Sequence, residues 1–159
     1  MKLTQYLSLL LIGFCLTSYG QKKDSKELQP EAEQFTHKVI QLITEKDYAT
    51  LNQLTTPKVY CSLCFDDAPG KNYFVGKDIF YKKHINTIFN QELLNILGRN
   101  EIKFSWDGSD SGFKDRDYIV LYTTHRPNEV GDGHEGAQLI FWLKDENGSF
   151  KLSGIESVP

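Results

Sequence analysis

Residues 135–157, EGAQLIFWLKDENGSFKLSGIES, decide how this chain folds. Two runs rich in aliphatic and aromatic side chains flank the pair Asn147-Gly148. Asn-Gly between such runs is the strongest short signal for a hairpin, because both residues accept the left-handed backbone of a tight turn. The stretch therefore predicts two antiparallel strands. Upstream, RDYIVLYTTHR (116–126) and EIKFSWDG (101–108) carry the same character, with Ile102, Phe104 and Trp106 alternating. The C-terminal half is a succession of strands.

The N-terminal half has a different period. From Pro30, the residues Ala32, Phe35, Val39, Leu42 and Ile43 recur at helical spacing. Proline suits a first helical turn, and Glu31 and Glu33 favour the positive end of the dipole. KDYATLNQLT (46–55) predicts a shorter helix that stops before Pro57. KVYCSLCF (58–65) has strand character, and DDAPGKNYFVG (66–76) reads as a loop. KDIFYKKHINTIFNQELLNILG (77–98) predicts one long third helix, started by Asp78 and stopped by Gly98. Helices first and strands afterwards give an α+β fold, with the N-terminal helices packed on a curved antiparallel sheet.

Composition limits the function classes. Eighteen Lys and Arg stand against 21 Asp and Glu, with both signs interspersed, which excludes the basic stripe that nucleic acid requires. Residues 1–20, MKLTQYLSLLLIGFCLTSYG, have the positive start, apolar run and small C-terminal residues of a signal peptide. The run is too short for a membrane span, and Phe14 before Cys15 argues against a lipid anchor. Residues 21–29 read as a flexible leader and 30–159 as one domain, exported to the periplasm or outside a bacterial cell. The mature chain is expected to carry no membrane span.

Cys61 and Cys64 are the most conspicuous chemical feature. In a regular strand, residues three apart lie about 10 Å from each other and face opposite ways. A disulfide needs Cα atoms within about 7 Å. The alternation Val59, Cys61, Leu63, Phe65 favours the strand, and hence two separate buried thiols. A turn at Ser62-Leu63 is the alternative that would let them bridge. A catalytic redox pair lacks its βαβ context. Zinc lacks two further ligands at a recognisable spacing, even with His84, His125 or His134 at hand. Asp132, His134 and Glu135 cluster between glycines but follow no EF-hand pattern, so they read as a solvated loop. No metal or cofactor is expected.

The strands 118–124 and 138–144 are apolar on both sides: Ile119 and Leu121 oppose Val120 and Tyr122, and Ile140 and Trp142 oppose Leu139, Phe141 and Leu143. Helices can cover one face only. A homodimer through the outer sheet face would cover the other, with cover by the chain's own loops as the alternative.

The order of elements, with EKDYATLNQL, VGKDIFYKKHI and the closing FKLSGIES, resembles the nuclear transport factor 2-like (SnoaL-like) superfamily over residues 30–159. The resemblance implies a cystatin-like cone in which helices close over a bent sheet and leave a pocket. Members include acid–base enzymes and non-catalytic binding domains, so fold alone does not assign function. No catalytic acid or base carries over by motif; His84 is the candidate if the chain is an enzyme. Tyr60, His84, Tyr122 and Trp142 are the candidate ligand-binding residues. The expectation is an exported non-catalytic domain that binds a small apolar ligand or a protein partner. The alternatives are an isomerase, cyclase or hydratase of the SnoaL-like kind, and a thiol redox protein working through Cys61 and Cys64.

Overall fold

The computed structural model describes residues 25–65, 72–107, 116–129 and 136–158, with no side-chain description at 25–26 and 103–107. The expected signal peptide and the loop carrying Asp132, His134 and Glu135 lie outside the described residues. Helix α1 spans Ser25–Thr44, so it starts five residues before Pro30. The end of the expected leader, 25–29, is therefore helical. Half-buried Leu28 packs on the core and holds this extra turn in place, although Pro30 has no N–H for the Lys26 carbonyl. Ala32, Thr36 and Val39 on its inner face are fully buried. Helix α2, Tyr48–Gln53, is capped by Asp47, whose carboxylate accepts from the Thr50 N–H at 3.1 Å and hydroxyl at 2.6 Å.

Strand β1 is Thr55–Cys61 and β2 is Phe74–Gly76. The third helix is not continuous. Lys77–Ile79, a π-helical turn Phe80–His84 and Ile85–Ile88 together form α3. Phe89 then leaves helical geometry (φ −92°, ψ 63°), and Asn90 accepts from the Leu93 N–H at 2.9 Å to start α4, Gln91–Leu97. Asp78 lies in the first turn of α3 rather than at its cap, where it accepts from the Asn52 amide at 3.4 Å.

Strands β3 (Ile102–Asp107), β4 (Tyr118–His125), β5 (Ala137–Asp145) and β6 (Phe150–Val158) follow as an antiparallel meander. The tight turn before β6 has positive φ at both Asn147 (58°) and Gly148 (82°), as the Asn-Gly pair predicts. The six-stranded sheet runs β2-β1-β6-β5-β4-β3. It is mixed rather than wholly antiparallel, because β1 and β6 are parallel. Strand periodicity carries no direction. Direction follows from α3 and α4, which carry the chain from β2 at one edge to β3 at the other before the meander returns to β1. Pro57 sits where the β1–β6 pairing slips, between Thr55 and Tyr60, so its missing donor disrupts no regular ladder.

The helices cover the inner face, where Tyr122, Phe141 and Leu152 meet Phe80, Ile85 and Phe89. On the outer face Tyr60, Ile119, Ile140 and Trp142 form a second cluster, none more than 7% exposed. Tyr60 and Trp142 stack with centroids 3.8 Å apart across Gly154, which stands between them in the ladder. The Arg116 guanidinium lies 4.5 Å from the Trp142 ring centroid. Of the apolar outer residues that motivated a homodimer, Ile119, Ile140 and Trp142 are thus buried within one chain and Leu121 is half-buried against them. Among the described residues no helix is long and apolar enough to cross a membrane.

Candidate cleft at the end of the sheet

Cys61 and Cys64 form a disulfide with Cα atoms 5.3 Å apart. This overturns the expectation of two separate thiols. The β1–β6 ladder ends at Cys61–Ile155, and Ser62–Cys64 then turns as a 3₁₀ helix, closed by Phe65 N–H to the Ser62 carbonyl at 3.4 Å. Joined to each other, the two sulfurs are not free thiolate ligands. Among the described residues no group of three or more His, Cys, Asp or Glu is placed to hold a metal.

The four residues expected to line a pocket do not converge. Tyr60 and Trp142 stack on the outer face, and the Trp142 indole N–H donates to Glu156 at 3.1 Å. Tyr122 is buried in the inner core, 3.3 Å from His37 Nδ1. Burial raises its phenol pKa, and the Glu33 charge adds to the rise. His84 is half-buried at the end of the π-helical turn. Core side chains from helices and sheet pack together on the inner face.

Space opens instead at the end of the sheet where β1, β4 and β6 finish and β5 starts, in a cleft of about 450 Å³. Thr87, Ile88, Asn90, Glu92 and Leu93 supply the helical wall. Thr124, His125, Ala137, Leu139 and Ser157 supply the sheet wall, and Leu63 from the disulfide turn stands at the rim. Leu139 is 2% exposed and gives the cleft a buried apolar floor, whereas Leu63 is 40% exposed.

A charged network braces this end. Arg99 donates to the Thr124 carbonyl at 2.5 Å and to Glu129 at 3.0 Å, Glu129 accepts from the Arg126 N–H at 2.9 Å, and Arg126 pairs with Glu101. The Arg126 backbone N–H, followed by Arg99, lowers the Glu129 pKa. Exposed pairs of this kind stabilise little singly, but together they hold Thr124 and His125 at the cleft edge. A second groove of about 740 Å³ runs between α1 and the β5–β6 turn, lined by Glu31, Gln34, His37, Lys38 and Gln41 beside Phe35 and Phe150. Leu54 also belongs to this lining, none of whose residues is buried, whereas Leu139 gives the smaller cleft a buried apolar floor, so the smaller cleft is the better small-molecule site.

Sequence reasoning missed this set. Leu139 and Ser157 meet only because Leu139 pairs with Ser157 across β5 and β6. Thr87 and Leu93 face them only because the third helix breaks at Phe89–Asn90. Comparison with protein-family models, curated proteins and solved structures returned no match.

Proposed function

We propose that this chain is an exported, non-catalytic binding domain of the nuclear transport factor 2-like kind, which holds a small molecule with an apolar body in the cleft at the end of the sheet. One observation carries the proposal: an apolar surface of Ile88, Leu93 and Leu139 lies within a ring of hydroxyl and amide groups from Thr87, Asn90, Thr124 and Ser157. Apolar lining with a few orienting polar groups is the usual composition of a ligand site, and the volume falls in the usual range. The helices on one face of a sheet ordered β2-β1-β6-β5-β4-β3 are compatible with the cone that the sequence resemblance implies. A bridged Cys61–Cys64 pair fits an oxidising compartment and supports export.

Ligand-observed NMR with a panel of amphipathic small molecules tests the reading. Saturable binding is expected, and Ala137→Trp, which fills the cleft, is expected to abolish it while the fold is kept. Failure of every panel member to bind the folded, oxidised protein would sink the proposal. The acid–base alternative passes from His84 to His125, the histidine that lines the cleft. It requires turnover of a bound molecule that is lost in His125→Ala.

A further inference from the structure

We propose that the Cys61–Cys64 disulfide is a redox-controlled gate on the cleft: its reduction by a dithiol lets residues 62–64 extend β1 along β6 and carries Leu63 from the rim onto the cleft floor. The inference rests on the binding role of the cleft, but its structural half stands without a ligand. Val59, Cys61, Leu63 and Phe65 alternate as one face of a strand, and the 3₁₀ turn breaks that pattern only within the span closed by the bond. Strand β6 runs on to Val158, whereas its ladder with β1 stops at Ile155. Residues 156–158 therefore pair with β5 on one side and, among the described residues, lack a strand partner on the β1 side.

Continuing the observed register sets Ser62 beside Glu156, Leu63 beside Ser157 and Cys64 beside Val158. Leu63 would then share the inner face with Cys61 and lie over Ser157, next to Leu139, across the floor that a ligand would occupy. Leu63 and Val158, 40% and 38% exposed, are two of three large hydrophobic residues exposed among those described, and the extension gives both new neighbours.

The chemistry is ordinary thiol–disulfide exchange. A thiolate of the dithiol attacks the Sγ of half-buried Cys64, forming a mixed disulfide and releasing buried Cys61 as thiolate. The second thiol of the reductant then displaces Cys64 and closes the reductant's own disulfide. Two electrons and two protons pass to the cysteines.

The test compares oxidised protein, protein reduced with dithiothreitol, and the Cys61→Ser/Cys64→Ser double variant. Amide exchange is followed residue by residue by NMR, and the affinity of 8-anilinonaphthalene-1-sulfonate is measured for each form. Exchange within 62–64 and 156–158 is expected to slow about tenfold or more in the two forms that lack the disulfide. Dye binding is expected to weaken by a similar factor of about ten. Unchanged or faster exchange in these segments, or resistance of the bond to reductant in the folded protein, overturns the proposal. Slowed exchange with unchanged dye affinity overturns the gate. Slowed exchange with no dye binding in any form upholds the switch and refutes the binding role.

Discussion

Gly154 shows how much one missing side chain can decide. A Cβ there would lie 2.9 Å from Tyr60 Cβ and 3.1 Å from the Trp142 ring, closer than van der Waals contact permits. Only glycine lets the two rings stack over β6. Gly154→Ala should therefore lower stability by roughly 1–3 kcal/mol through overpacking, measured as a lower urea midpoint at unchanged slope. Its neighbour Ser153 presents the opposite case. Ser153 is fully buried where β6 slips against β5, and its hydroxyl has no hydrogen-bond partner among the described residues. An unsatisfied buried hydroxyl destabilises, so Ser153→Ala should be neutral or raise stability by up to about 1 kcal/mol in the same titration.

Among the elements, α1 and the disulfide turn depart most from their sequence signals. Pro30 predicts a helix start, yet Leu28 finds core contact and extends the helix past it. The first turns of α1 should then be its weakest, and Pro30→Ala, which restores a donor for the Lys26 carbonyl, should slow amide exchange at 27–31 and raise the thermal midpoint. The split of the third helix had a legible trace: Asn90 followed by Glu92 is a start signal inside an apolar run. The disulfide's trace was ambiguous: two cysteines three apart can bridge if Ser62-Leu63 turns, but strand alternation competes with that turn within the same four residues. Closing so small a ring removes little chain entropy, about 2 kcal/mol. Reduced protein should thus stay folded, with a urea midpoint lowered by a corresponding amount and far-UV circular dichroism essentially retained.

Across the whole molecule, buried tyrosines on both faces of the sheet couple stability to alkaline pH. Burial pushes the Tyr81 phenol up to about 12, against the hydrogen bond to Thr55 at 2.5 Å, which lowers it. Burial also raises Tyr48, Tyr60 and Tyr122. A phenol whose folded pKa exceeds the unfolded value of about 10 stabilises the fold fully below pH 10, and that stability is lost as pH rises toward the folded pKa. Unfolding free energy should therefore fall between about pH 10 and 12, and Tyr81→Phe should flatten the fall. Equal slopes for the variant and the parent chain would contradict this account.

Several features needed no tertiary context. The two-sided apolar strands, the opposition of Ile119 to Val120 and Tyr122 within one strand and of Ile140 and Trp142 to Leu139 and Phe141 within the next, and the Asn147-Gly148 turn all follow from local periodicity and backbone preference. These are properties of neighbouring residues, and the α+β class follows from their order. The parallel β1–β6 pair, the cover over the outer face, the Cys61–Cys64 bridge and the cleft are of another kind. Each depends on residues far apart in the chain: Tyr60 with Trp142, Cys61 with Ile155, Leu63 with Ser157 and Thr87. Their placement depends on competing long-range pairings, which local patterns constrain weakly, so the sequence by itself determined the elements and their faces, whereas the tertiary structure decided which elements meet.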